Sequence, residues 1–148
     1  MKHWTSSLLV PVFLISVLSG PALSQGVPFG VWISEEGKSR IEVFDCENRV
    51  CGKIVWLLDP LEEDGTPKLD VHNENEALRN RPLIGLPLVV DFVTDGLRKW
   101  KDGLIYNPLD GKTYQSTMEL VSPSTLKVRG YVLLPIFGKS QIWTRYAP

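Results

Sequence analysis

His72 stands in the run Asp70-Val71-His72-Asn73-Glu74-Asn75-Glu76, where carboxylates and amides offer the oxygen atoms that hold a hard cation, and where Asp70 and His72 could act as acid and base. A calcium loop of the EF-hand kind needs a glycine at its sharp turn, and none is present. The same residues also read as a solvated loop leading into a short helix over Glu74 to Asn80, capped by Asn73 with Glu76 as its partner. The other histidine, His3, falls in a predicted leader, so several histidines cannot meet around one metal within the remaining chain. Glu35-Glu36, Glu62-Glu63-Asp64 and Asp102 could supply paired carboxylates, but they sit in turn-like surroundings and read as solvated charge. There is no phosphate-cradling glycine loop, nucleophile elbow or dinucleotide fingerprint. The expectation is a protein without a cofactor or a catalytic centre, with a hydrolase or metal-assisted enzyme built on His72 and Asp70 as the third-ranked alternative.

Cys46 and Cys51 are the only cysteines. Their spacing is not C-x-x-C and no second pair exists, which argues against a redox pair or half a zinc site and for a structural disulfide formed in an oxidising compartment. A hairpin from Arg40 to Cys46 and Cys51 to Leu57, with Glu47 to Val50 as its loop, brings them together. If Cys46 faces Cys51, Phe44 lies opposite Lys53 and Glu42 opposite Val55, which leaves Ile41, Val43, Ile54 and Trp56 on the other face. Closing so short a loop contributes about 2 kcal/mol on chain-entropy grounds.

The groups best suited to binding are aromatic and basic. Trp56, Trp100, Tyr106 and Tyr114 fall on or beside predicted strands, and alternation predicts several of them inside the barrel with Ser116, Leu126, Val128 and Gly130; small residues among large ones either leave a ligand-sized interior cavity or pack as a filled core. Arg79 and Arg81 could meet a carboxylate or phosphate head group, or else cap the end of the preceding helix.

Eight period-two segments must position these residues: Gly30 to Ser34, Arg40 to Cys46, Cys51 to Leu57, Gly85 to Phe92, Arg98 to Tyr106, Lys112 to Leu120, Thr125 to Val132 and Ser140 to Tyr146. Turn signals separate them at Glu36-Gly37, Thr94-Asp95-Gly96, Asn107-Pro108 with Asp110-Gly111, and Ser122-Pro123-Ser124. The exception is an acidic excursion from Asp59 to Leu83. Short connections favour antiparallel neighbours, and eight such strands close most simply as an all-β, antiparallel up-and-down barrel with one short helix in the long loop after strand three.

Gly30-Val31-Trp32 opens the first strand and Trp143-Thr144-Arg145 closes the last. This pairing resembles the calycin pattern, in which a basic side chain from the final strand lies on the G-x-W indole at the closed end of a barrel; a guanidinium gains cation–π attraction there while its donors bond to carbonyls. Further residues extend the resemblance along the chain: Cys51-Gly52-Lys53-Ile54-Val55-Trp56-Leu57, Asp70 with Asn73, Leu78-Arg79-Asn80-Arg81-Pro82-Leu83-Ile84-Gly85-Leu86, Tyr106-Asn107-Pro108, Asp110-Gly111-Lys112-Thr113-Tyr114, Val128-Arg129-Gly130-Tyr131 and Gln141. In combination they resemble the bacterial family known as domain of unknown function 2147, with Asn107 where that pattern commonly has an acid. The resemblance implies an exported calycin-like, lipocalin-like barrel, with Gly30, Trp32, Trp143 and Arg145 as architectural residues, and it implies no catalytic residues.

Residues 1–24 read as a signal peptide: a basic start, an apolar run from Leu8 to Leu18, the breakers Gly20 and Pro21, and Ala22-Leu23-Ser24 before a cut at Gln25. The run is shorter than the ~20 residues a membrane-spanning helix needs. Of the 148 residues, 43% hydrophobic with net charge −1, cleavage leaves a single domain over 25–148 with 15 basic and 17 acidic side chains. That balance gives no footprint for nucleic acid, and no transmembrane segment is expected in the mature chain. The predicted protein is a periplasmic or secreted barrel that binds a small apolar or amphipathic ligand; the runner-up is an interaction module whose outer face carries Lys53, Lys127, Arg129 and Tyr131.

Overall fold

A computed structural model describes residues 26–148. Eight strands follow in order: β1 (Gly30–Ile33), β2 (Ser39–Asp45), β3 (Val50–Leu57), β4 (Pro87–Thr94), β5 (Lys99–Asn107), β6 (Lys112–Ser122), β7 (Thr125–Tyr131) and β8 (Lys139–Arg145). Each pairs antiparallel with its sequence neighbour, and β1 pairs with β8 to close the barrel, Trp32 opposite Arg145 and Ile33 opposite Thr144. The expected up-and-down barrel is therefore the fold, and closure leaves it no free sheet edge.

Alternation builds the core. On β2, Ile41 and Val43 point inward between outward Arg40 and Glu42, and the same rule buries Val89, Met118, Leu120, Leu126, Val128 and Trp143 in the barrel interior. Ser116 is also inside, its hydroxyl donating to the Arg129 carbonyl at 2.9 Å. The connections alternate between the two ends. The turns at 46–49, 95–98 and 123–124 lie at the end where β1 begins and β8 finishes, here termed the closing end; those at 34–38, 58–86, 108–111 and 132–138 lie at the opposite, loop end.

At the closing end Arg145 lies 4.2 Å from the centroid of the buried Trp32 ring and donates to the carbonyls of Pro123 and Phe29, both at 2.6 Å. The Trp32 indole N–H donates to the Pro28 carbonyl at 2.7 Å. Gly30 has φ +123, and a Cβ there would lie 2.8 Å from the Arg145 guanidinium. The glycine two residues before the tryptophan is thus required by the approach of the arginine as well as by its backbone.

Three details differ from the sequence expectation. Cys46 and Cys51 are bonded, with Cα atoms 5.9 Å apart, but they do not face each other: Cys46 and Arg49 close a tight turn through Glu47 and Asn48, both at positive φ, so Phe44 lies opposite Cys51 and Glu42 opposite Lys53. The shift is two residues, which keeps Ile41, Val43 and Ile54 buried as expected. Trp56 departs from that face. A register break places Ile41 opposite Ile54 but Arg40 opposite Trp56, and the Arg40 guanidinium is held outside the barrel between Trp56 and Tyr146, 4.4 and 3.9 Å from their ring centroids. Finally, the helix expected over Glu74 to Asn80 is only a 3-10 turn, Glu76–Leu78, capped by Asn75. Asn73 does not cap this turn: its oxygen accepts from the Asn75 N–H, ahead of the turn, and its amide nitrogen donates to Asp70 and Tyr106.

Candidate functional site

At the loop end the excursion between β3 and β4 folds over the barrel and is fastened by a buried polar group. Asp70 is fully buried. One carboxylate oxygen accepts from the Tyr106 hydroxyl at 2.5 Å; the other accepts from Asn73 Nδ2 at 2.8 Å and Arg81 Nε at 2.9 Å. Asn73 Nδ2 also donates to the Tyr106 oxygen at 3.1 Å, and Arg79 Nε donates to the Asn73 carbonyl at 2.7 Å. Gly111, at φ +72, packs so closely on the His72 carbonyl that a Cβ would collide with it, which sets the β5–β6 turn against the excursion. Arg79, Arg81 and Tyr106 are thus brought together, but Arg81 and Tyr106 donate to Asp70, and Arg79 to the Asn73 carbonyl and the Glu76 carboxylate. His72 is exposed while Asp70 is buried among other partners, so the two do not form an acid–base pair.

Burial, together with the hydrogen bond to Asp70 and its negative charge, raises the Tyr106 pKa above its ordinary 10.0. The unfolded chain loses this proton near pH 10 while the folded chain retains it, so the stability the hydroxyl contributes is full below that pH and lost as pH rises through the raised value. Denaturation across alkaline pH is expected to show that loss in the wild type and to show less of it in Tyr106→Phe.

The closing end holds a different arrangement. A cleft of about 240 Å³ opens between the stretch before β1, the β2–β3 turn and the β4–β5 turn. Phe29, Val50, Leu97 and Trp100 supply its apolar surface. Arg49 and Arg98 line it too, with Asp45, whose carboxylate accepts from the Asn48 N–H at 3.2 Å. Arg98 has φ +62, and its Nε and Nη2 atoms are buried without a hydrogen-bond partner among the described residues. Burying guanidinium donors unpaired costs on the order of 1–3 kcal/mol or more, so this is the position in the described chain where a missing acceptor would matter most.

Trp100 alone of the six candidate binding residues borders this cleft. Tyr114 lies on β6, its hydroxyl donating to Asp110 at 2.6 Å, and Trp56 is on the outer wall. A second cleft of about 260 Å³ lies along β5–β7, but its charges oppose one another: Glu119 is 3.9 Å from Lys99 and cross-strand from Lys127. Sequence reasoning missed Arg98, Arg49, Phe29 and Leu97. The only available sign was an arginine directly after Asp95-Gly96-Leu97, and the direction of its side chain depends on a backbone angle that residue types do not specify. Among the described residues Cys46, Cys51 and Asp91 stand close enough to share a metal, but the disulfide removes the two thiolates.

A solved structure described as protein HP1028 from the human pathogen Helicobacter pylori, which belongs to the lipocalin family, is similar in fold: its TM-score is 0.70 at 29% identity, over 80% of this chain and 82% of that one. None of the curated proteins matches. A family model described as an uncharacterized protein conserved in bacteria (DUF2147) matches residues 30–145, which spans all eight strands and the Gly30, Trp32 and Arg145 closure, and the chain belongs to that family.

Proposed function

We propose that the protein binds a small amphipathic anion in the cell envelope, with the acidic head on Arg98, Arg49 alongside, and the apolar part against Phe29, Val50, Leu97 and Trp100. The observation that carries this reading is that Arg98, whose Nε and Nη2 atoms are buried without a partner among the described residues, lines a cleft that joins apolar side chains to Arg49, Asp45, Asn48 and Thr94. A guanidinium presents paired donors that match a carboxylate or phosphate, and an ionised acceptor makes these bonds stronger than a neutral one would. Eight-stranded barrels of lipocalin type hold one small ligand or fill with side chains. Here buried apolar side chains pack together in the barrel interior, and the cleft assigned to the ligand lies at the closing end. The leader at residues 1–24, which lies outside the described residues, and the Cys46–Cys51 bond support an exported location. Binding rather than turnover fits a site whose reactive-looking partners, Asp70 and Tyr106, are locked away at the other end.

Arg98→Met separates this reading from a structural role. Loss of the unpaired donors raises the stability of the ligand-free protein by about 1 kcal/mol or more, and loss of the head-group contact weakens binding of octanoate by tenfold or more, at about 1.4 kcal/mol per decade. Intrinsic fluorescence, with Trp100 at the cleft, and urea denaturation read the two effects. Octanoate is expected to bind in preference to octanol. Equal binding of the two, or octanoate binding unchanged in Arg98→Met, refutes the assignment.

A further inference from the structure

We propose that the β7–β8 loop is a membrane anchor that inserts its apolar tip into an anionic lipid surface. The loop, Val132-Leu133-Leu134-Pro135-Ile136-Phe137, presents six consecutive apolar residues to solvent, with Leu133, Ile136 and Phe137 exposed by 83%, 77% and 74%. Contiguous exposure of this kind marks a contact surface, because a free domain has no reason to hold such side chains in water.

The loop's backbone points to lipid as the occupant. The N–H groups of Leu134, Phe137 and Gly138 donate to the carbonyls of Val132, Leu134 and Pro135, and Pro135 has no N–H to satisfy. From the base of the loop, Arg129 donates to the Pro135 carbonyl at 2.7 Å, to Ile136 at 3.3 Å and to the Ser140 hydroxyl at 2.9 Å. Leu133 is held at φ +67 within this frame. The carbonyls of Val132, Leu134, Pro135 and Ile136 are therefore answered inside the protein, which meets part of the requirement for entering a phase that offers no hydrogen bonds, while the N–H groups of Leu133 and Ile136 stay open among the described residues. A protein partner would impose no such requirement.

Charge gives the second argument. From Val121 to Pro148 the chain carries no Asp or Glu; of its cations Arg145 lies at the closing end and Arg129 is bonded to the loop's own carbonyls, which leaves Lys139 as the charge beside the tip. Exposed Lys139 adjoins the apolar tip. The acidic excursion, with Asp59, Glu62, Glu63, Asp64, Glu74 and Glu76, leaves the barrel between β3 and β4, four strands round from the β7–β8 loop in the strand order. An anionic surface attracts Lys139 beside the tip, which adds to what apolar insertion of the loop supplies.

Co-sedimentation with phosphatidylcholine vesicles, with and without phosphatidylglycerol, tests this. Wild-type protein is expected to bind the vesicles that contain phosphatidylglycerol more tightly, less so at high salt, and Ile136→Asp with Phe137→Asp to reduce that binding at least tenfold without lowering the melting temperature. Lys139→Glu should weaken it further at low salt only. Arg98→Met, at the other end of the barrel, should bind vesicles as the wild type does, which keeps this result separate from that of the cleft. Absence of wild-type binding, binding indifferent to the double substitution, or capture of a protein by a photo-crosslinker at position 136 with no vesicle binding would each overturn the proposal.

Discussion

Asp70→Ala is expected to lower the free energy of unfolding by about 3 to 5 kcal/mol, the range for removing one partner from a buried charged pair. Three donors lose their acceptor at once: the Tyr106 hydroxyl, the Asn73 amide and the Arg81 guanidinium. Asn73 and Tyr106 are buried and cannot turn to water without moving the excursion, whereas Arg81 is one-third exposed and can. Asp70→Asn keeps the shape but puts an N–H₂ group among donors and gives Arg81 no charge to pair with, so it should recover little of the loss. The damage should begin locally. Hydrogen exchange is expected to quicken first at the Asp70 and Leu83 amides, which donate to Arg81 and Lys68 within the excursion, and only later in the β6–β7 ladder. A change below about 1 kcal/mol in urea denaturation would mean that the carboxylate is not the fastening of the loop.

Trp32→Ala should cost about 3 to 5 kcal/mol, as removal of a large buried aromatic does. The ring is fully buried, carries the Arg145 guanidinium on its face and donates to the Pro28 carbonyl, so cavity formation is joined by an unpaired acceptor and an unsupported arginine. Trp32→Phe should recover part of the packing but not the bond to Pro28. Equal stabilities for the tryptophan and alanine proteins in urea would contradict the closure described here.

The strands were legible because a barrel with a filled interior imposes strict alternation, and Arg40 to Cys46 or Thr125 to Val132 display it plainly. The ring closure was legible through a resemblance: Gly30-Val31-Trp32 and Trp143-Thr144-Arg145 match the calycin pattern, in which the arginine lies on the tryptophan. The loop end was harder to read. Asn73 reads as a cap because it precedes acids at the right spacing, and its oxygen does accept the Asn75 N–H, but the turn that forms starts at Glu76 and is capped by Asn75. Trp56 satisfied the period-two rule, and a single register break between Arg40 and Ile41 moved it to the outer wall. Arg79 and Arg81 were selected for their charge, yet each found a partner on the excursion. Arg98 carries the same charge without a partner, and that difference exists only once the N-terminal stretch and two turns have met around it. Period and composition describe segments, whereas satisfaction of a donor is a property of the assembled end of the barrel.

The central claim is that Arg98 holds the head of an amphipathic anion. Native mass spectrometry of the protein purified from its own compartment tests it most directly. The prediction is one anionic molecule retained per wild-type chain and none per Arg98→Met chain prepared alongside. A wild-type protein that emerges with no bound molecule, or a molecule retained equally by Arg98→Met, would contradict it.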